Sequence, residues 1–541
     1  MRSWKHRLVF ILASGVACGS GSNGTPLAAQ EPPAGALPAL PRTFADQRDV
    51  LHGPILSVGE AIPRLPSEEL TAADRPLPIN LATALQLAGA RPTIIAVAQA
   101  SVGVAQAQLS KANVLWLPSL NVGAGYYRHD GATQGQSGNF YDNSKDQFFA
   151  GAGLTARVAA TDALFAPLAA RQVVRSRMSD VQAARNDALL AVAEAYFDVQ
   201  QARGRLAASR DVLEKGLKLE PVLIAQVQGS GQSTDLHRGR AVRASFEDRI
   251  ATTREQWGVA SANLTQVLRL DPTATVVPLE PPNLSVTLVS PQVSVDDLIP
   301  IGLTARPELA SQQALVQAAL ARIKQERMRP LLPSLVLEGA PGPAGPGGLM
   351  GGVFGSTING AENPTLARDD VSVGLVWELQ NLGLGNRALV RQRRSEHEQQ
   401  VIELFRTQDQ VAAEIARAHV QLRSSTARVA SAENGLGEAR LAYEGSVAEL
   451  GKVEHLGGVE IVVRRAFEVV AALRSWSEAY DTYFQSVNDY NRAQFRLFRS
   501  LGYPAAILAY ERAPEPMVPV DTTRPPQMAP VCAPDPCPYR Q

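Results

Sequence analysis

Cysteine is scarce: the 541 residues hold three, Cys18, Cys532 and Cys537. The last two lie in a Pro-rich tail, "APVCAPDPCPYR", with no histidine beside them. That makes a poor metal site, and in an exported chain it reads as a small, peripheral disulfide. The seven histidines are scattered with no pair at i, i+4, and no Ser/His/Asp constellation stands out. Neither sign of charge is in surplus, with 52 basic and 52 acidic residues, so there is neither a basic footprint for nucleic acid nor an acidic solvating tail. No stretch approaches 18 uninterrupted apolar residues, and no transmembrane helix is expected. "QGSGQST" (228–234) lacks the lysine of a phosphate loop, and "LGLGN" (382–386) reads as a strand-to-helix turn. An enzyme, a metal, a cofactor and a nucleic-acid partner are therefore not expected.

The chain opens with a basic segment (Arg2, Lys5, His6, Arg7) and an apolar run, Leu8 to Ala17, too short to span a bilayer. Residues 1–29 read as an export signal. If it is a lipoprotein signal, it ends at 17 and Cys18 is the candidate lipid anchor; cleavage elsewhere, for example after Ala29, is the alternative. Residues 30–77, rich in Pro, Ala and Gly, read as a linker.

Beyond the linker the chain repeats itself. "LPSL" begins at Leu117 and again at Leu332, and "ARP" precedes each copy, ending at Pro92 and Pro307. Both motifs recur at one offset, 215 residues. The pattern gives a first repeat over 78–272, a Pro-rich connector over 273–294, a second repeat over 295–505 and a Pro-rich tail over 506–541. In each, a helix ends at the proline of "LPSL", Pro118 or Pro333, and the period changes there from helical to alternating. Leu120, Val122, Ala124 and Tyr126 alternate with Asn121, Gly123, Gly125 and Tyr127. After a polar loop (128–146), Phe148 to Val158 alternates again, giving a hairpin of bilayer-spanning length. In the second repeat the segment after "LPSL" and Val371 to Trp377 alternate around a Gly/Pro-rich loop, 339–369, expected to be extracellular.

Each hairpin leads into a helix of unusual length, about 163–227 and 386–450, close to 100 Å at about 1.5 Å per residue. The first carries a seam stepping by 3 and 4 from Leu189 through Tyr196, Arg203 and Arg210 to Leu217. Glycine breaks follow, at Gly229 and Gly231 and at Gly457 and Gly458, and then shorter helices, about 235–268 and up to Ser500. The last has its own seam from Trp476 through Tyr480, Tyr483, Val487, Tyr490, Gln494 and Leu497 to Leu501. Each repeat thus supplies one long rod and two shorter helices that stack to match it, plus one hairpin.

Four one-sided strands cannot leave a sheet edge bare in lipid, where each unsatisfied backbone group costs several kcal/mol. Several chains must close the barrel; three would give 12 strands and 12 rods. At this point the chain resembles the TolC family of outer-membrane efflux proteins over about 78–505. The likeness rests on the duplicated "LPSL", on "AVAEAYFDVQQARGRL", on "GQSTDLHRGRA" and on "YDTYFQSVNDYNRAQFRLFRSLGYP". The resemblance implies a fold that is mainly α with membrane β: a homotrimer with a 12-strand β-barrel in outer-membrane lipid continued by a periplasmic α-helical barrel. It implies passive exit of small molecules (drugs, metabolites or metals) in a tripartite system. The partners would be a periplasmic adaptor and an inner-membrane pump of RND, ABC or MFS type. The periplasmic tip and gate would fall at Gly229, Gly231, Thr234, Asp235, Gly457, Gly458, Glu460, Arg464 and Arg465. Thr234–Asp235 matches the family's pair after the glycine turn, whereas Arg464 and Arg465 stand where acidic residues are typical. A duct for secreted proteins (type I secretion) and a soluble periplasmic coiled-coil scaffold remain the alternatives.

Overall fold

The structure, a computed structural model, describes residues 55–58, 70, 74–89, 92–230, 233–338, 351–362, 364–369, 371–450, 453–456, 459–462 and 466–503. The export signal, Cys18 and the tail with Cys532 and Cys537 lie outside the described residues. The chain divides into residues 1–47 and 48–541, and all that follows concerns the second unit.

Residues 30–77, read from sequence as a linker, contribute two strands: β1 (Ile55–Val58) and β2 (Arg75–Ile79). The connector supplies their partners. Ala274–Pro278 (β5) pairs parallel with β2, and Leu284–Thr287 (β6) pairs antiparallel with β1. Prolines 76, 78 and 278 argued against strands. Both sheets have two strands, so every strand is an edge, and a proline with no N–H to donate is tolerated there.

The expected helix from Pro78 to Trp116 is two helices, α1 (Leu81–Ala88) and α2 (Thr93–Asn113), separated before Pro92. Asn80 caps α1, its Oδ1 accepting from the Thr83 amide at 2.8 Å. The second repeat breaks in the same way, into α5 (Val295–Ala305) and α6 (Pro307–Met328). Pro307 pushes Arg306 into extended backbone and then sits at the first position of α6, where its missing N–H goes unmissed. Leu81–Asn113 is, on average, long and apolar enough to cross a membrane. It is broken in two, however, and α2 carries Gln99, Gln106, Gln108 and Lys111 and packs along the long helix that follows.

That helix, α3 (Ala160–Ser230), runs through Pro167 and Pro221; α4 (Ser233–Leu268) returns from it. The second repeat mirrors the pair with α7 (Leu384–Ala448) and α8 (Ala466–Ser500). The seam on α8 is buried at every position from Trp476 to Leu501. The seam on α3 is buried at Leu189, Val192, Tyr196, Val199 and Leu206, but Leu213 is half-buried and Leu217 is 42% exposed. A straight helix drifts about 20° per heptad against a 3.5-residue repeat, so over four heptads the buried stripe moves off the seam, to Val212 and Leu219.

The alternating strands are longer than the sequence pattern suggests. β3 (Ser119–Gln134) and β4 (Phe140–Ala159) pair over their whole length, through residues 128–134 and 140–146 that read as loop. The Gly/Pro-rich region likewise is not all loop. After β7 (Ser334–Glu338) it forms β8 (Gly351–Ile358), β9 (Ala361–Glu362) and β10 (Leu366–Asp369), before β11 (Ser372–Val376). Asn359 and Gly360, both at positive φ, make the two-residue turn between β8 and β9. Along the far edge of β4 lie β8 and then β7, and beyond them β10 and β11. Four strand tracks cross the sheet, with β3 at one edge and β10 and β11 at the other.

Candidate functional site

The pairing register assigns every sheet position to a face. Leu120 faces Leu154, Val122 faces Ala152, Ala124 faces Ala150, and Tyr126 faces Phe148. Val158–Leu335–Leu375 and Ala156–Leu337–Val373 extend this apolar face across the second repeat. Its side chains are bare in the single chain: Val122 is 76% and Val373 68% exposed. The band starts and stops sharply. Outward of Tyr126 and Phe148, the same face turns to Arg128, Asp130 and Asp146, with Arg128 paired to Asp130 at 2.8 Å. At the other end, exposed Trp116 and Trp377 flank the strands. From Phe148 to Val158 is about 33 Å of strand at 3.3 Å per residue; a tilt of about 40° makes it about 25 Å tall, the apolar height of outer-membrane barrels.

The opposite face carries Asn121, Gly123, Gly151, Gly153, Thr155 and Arg157. Asn121 Nδ2 donates to Thr155 Oγ1 at 2.6 Å, and Arg157 lies 3.6 Å from Glu378. Among the described residues, neither the outer edge of β3 nor that of β10 and β11 has a partner. Pro118 and Pro333 immediately precede β3 and β7.

Below the sheet the helices form a wall. α3 has α2 and α4 on one side and α6 and α8 on the other, and α7 packs on α6 and α8. The repeated "ARP" explains how two short helices make one rod. The last turn of α8 meets the first turn of α6, and both rest on the long helices. Arg306, its side chain 4% exposed, donates to Glu308 at 3.0 Å and to Glu414 on α7 at 2.8 Å, and reaches the Ser500 carbonyl at 3.3 Å. Arg499 closes the cluster on Asp187 of α3, Glu308 and Glu414. Arg499 at the C-terminus of α8 and Glu308 at the N-terminus of α6 also suit the dipoles of the two helices. "SLGYP" completes the joint: Gly502 adopts φ +88°, and a Cβ there would meet the Ala305 carbonyl at 2.8 Å.

Two amides of α8 serve the open edge of β6. Asn491 accepts from the Val286 amide and donates to the Leu284 carbonyl, both at 2.8 Å. Gln494 accepts from the Leu288 and Val289 amides and donates to the Val289 carbonyl. Toward the tip, Tyr443, Trp476, Tyr480 and Phe484 stack in series between α7, α8 and α3. Burial pushes the Tyr480 phenol up, aided by Asp211, to which its hydroxyl donates at 3.3 Å. Tyr196 is raised by burial and by its hydrogen bond to Glu280, and Tyr483 by burial.

At the tip, Gly229 lies in the last turn of α3, and Thr234 and Asp235 in the first turn of α4. Gly231, Gly457, Gly458, Arg464 and Arg465 lie outside the described residues. Glu460 lies in a hairpin of β12 (Val453–Leu456) and β13 (Val459–Val462), opposite His455. In the sequence, "LGKVEHLGGVE" reads as a glycine break. Its alternation around Gly-Gly is a hairpin signal that could have been read. Among the described residues no cluster could hold a metal ion.

A two-faced membrane sheet joined to a long helical wall defines an outer-membrane channel fold, and comparison bears this out. Residues 84–268 match the family model described as "Outer membrane efflux protein". The outer-membrane channel OprN superposes with a TM-score of 0.61 at 16% identity, over 78% of this chain and 89% of its own. The outer membrane protein VceC of Vibrio cholerae gives 0.58 at 16%, over 78% and 96%. The CmeC outer membrane channel of Campylobacter jejuni gives 0.57 at 15%, over 78% and 85%. No curated protein sequence matches. Residues 84–268 are similar to that family, and the chain has the fold of the outer-membrane channels on which it superposes.

Proposed function

We propose that three copies of this chain close into one duct, a 12-strand barrel in the outer membrane continued by a 12-rod helical tunnel in the periplasm. The single observation that carries this reading is the sheet itself: an apolar face of bilayer height with two edges unpaired among the described residues, which lipid does not permit in a lone chain. The wall has matching edges. Ile94, Val97 and Val104 on α2 and Ile402 and Phe405 on α7 are exposed apolar residues on the two outermost helices, each in need of a neighbour.

The duct is passive. An inner-membrane pump of RND, ABC or MFS type supplies the energy and a periplasmic adaptor joins the two, so that small molecules leave in one step. Opening occurs at the tip, around Gly229, Gly231, Thr234 and Asp235 in one repeat and Gly457, Gly458, Glu460, Arg464 and Arg465 in the other. The test uses a chain whose three cysteines are replaced, with new cysteine pairs joining the α3–α4 turn to the β12–β13 hairpin. Oxidation should block drug efflux from cells and a reductant restore it; full efflux from the cross-linked protein would refute opening at the tip.

A further inference from the structure

The apolar surface does not end with the strands. β4 runs straight into α3, whose first three turns expose Leu164 and Leu168, and α7 opens on Leu384, 66% exposed. One turn further on, each helix changes character. Leu168 is followed by exposed Arg171 and Arg175, and Leu384 by exposed Arg387, Arg391 and Arg394. The steps are 3 and 4, so each set forms one stripe along its helix. The order Leu, Arg, Arg recurs at a single offset of 216 residues, pairing Leu168 with Leu384, Arg171 with Arg387 and Arg175 with Arg391.

The wall fixes which way the stripe points. α3 has neighbours on both flanks, so what it exposes meets the bore or the outside, not another copy. Asp162, Ser176 and Asp180 mark the flank of α6, through Arg329 and Ser311. Pro167, Val174 and Val181 are buried at seven-residue steps on the other flank, where α2 packs. At about 100° per residue these flanks lie about 130° apart on one side and about 230° on the other, and the stripe lies in the wider sector. In a closed wall the wider sector is the convex one, turned from the bore.

Among the described residues no carboxylate pairs with these five arginines, whereas Arg177 and Arg393, on other sides of the same helices, pair with Asp180 and Glu396. Glu398, one turn beyond Arg394, is the first acid on the α7 stripe. Arg387 lies in the first turn of α7, where the helix dipole disfavours a cation, so helix stability does not account for it. A surface that passes within one turn from bare leucine to unpaired arginine, in line with the lipid face of the sheet, fits the boundary between hydrocarbon and headgroup. There an arginine stem covers apolar surface while its guanidinium forks to a phosphate. We propose that the stripes Leu168–Arg171–Arg175 and Leu384–Arg387–Arg391 bind the phosphates of anionic lipids at the periplasmic surface of the membrane and set the depth at which the duct sits. This rests on the closed wall and membrane sheet of the proposed duct.

The test titrates phosphatidylglycerol, or phosphatidylcholine with the same chains, into the full chain in a neutral detergent and follows the rise in unfolding temperature. Phosphatidylglycerol should bind about tenfold more tightly, and the preference should fade as salt is raised. Arg387→Gln with Arg391→Gln should reduce the preference, and adding Arg171→Gln and Arg175→Gln should abolish it. All four arginines are exposed, so folding should be intact. Arg417→Gln with Arg423→Gln removes the same charge from exposed positions about 45 Å further along α7 and should leave the preference unchanged. Equal binding of the two lipids, a preference that survives the fourfold variant, or an equal loss in the control pair would overturn the proposal. The duct stands in each of those cases if the chain still needs detergent to leave the membrane. A chain that stays in solution without detergent and takes up neither lipid would undo the duct itself.

Discussion

Arg306 is placed where one side chain holds three helices. Its guanidinium is buried and reaches Glu308, Glu414 and the end of α8. Removing it leaves Glu308 and Glu414 to Arg499 at a packed joint, where Glu414 also keeps 42% exposure and some water. Arg306→Met should therefore lower stability by about 2–4 kcal/mol, at or below the range for breaking a buried pair. Arg306→Lys should recover only part, because a point charge cannot fork to both acids. Denaturant unfolding in detergent measures this, and a loss near zero would mean that water already screens the cluster. The joint was not legible in the sequence. "ARP" was visible as a repeat, but its partner Glu414 lies 108 residues away, and no local pattern links them.

The buried tyrosines make a pH statement at the same scale. Burial disfavours ionised Tyr196, Tyr480 and Tyr483, so their folded pKa values lie above the unfolded value of about 10. Their contribution is complete below about pH 10 and is lost as pH rises beyond it. The unfolding temperature should fall from about pH 10 upward, and Tyr480→Phe should make that fall shallower; an identical alkaline profile in the variant would contradict this.

Among elements, the sheet tests face assignment most cleanly, since adjacent residues on one strand meet opposite solvents. Val122→Arg puts a charge in lipid at mid-band and should cost about 2–4 kcal/mol of assembly, whereas Asn121→Arg on the lumen face should be tolerated. The yield of folded protein in the outer membrane reads the difference; equal yields would contradict the assignment. The alternation that reveals these faces was legible because lipid allows only apolar side chains on one side. It stopped being legible at Arg128, where the pairing continues into water and no longer constrains side-chain type. Proline hid β2 and β5, and a short Gly-Gly hairpin at the tip passed for a loop. The α8 seam was fully legible because that helix is covered along its whole length, and the α3 seam only as far as Leu206.

At the scale of the whole molecule, duplication builds a wall whose two edges differ. The first repeat ends in α2 and β3, the second in α7, β10 and β11, and among the described residues each pair of edges leaves backbone or apolar side chains unpartnered. Joining copies head to tail satisfies both levels at once, in a ring that closes when the rotation per copy divides the circle. In the sequence the case for joined copies rests on strand count, strand length and one-sidedness, which together argue against a lone chain in lipid.

The most direct measurement is the native mass of the protein extracted from membranes in detergent, with the bound detergent subtracted. The shared duct predicts about three chains of 57.8 kDa, less any leader removed on export. A monomer that leaves the membrane fraction without detergent would contradict it, since the apolar face and the bare strand edges would then have found some other cover.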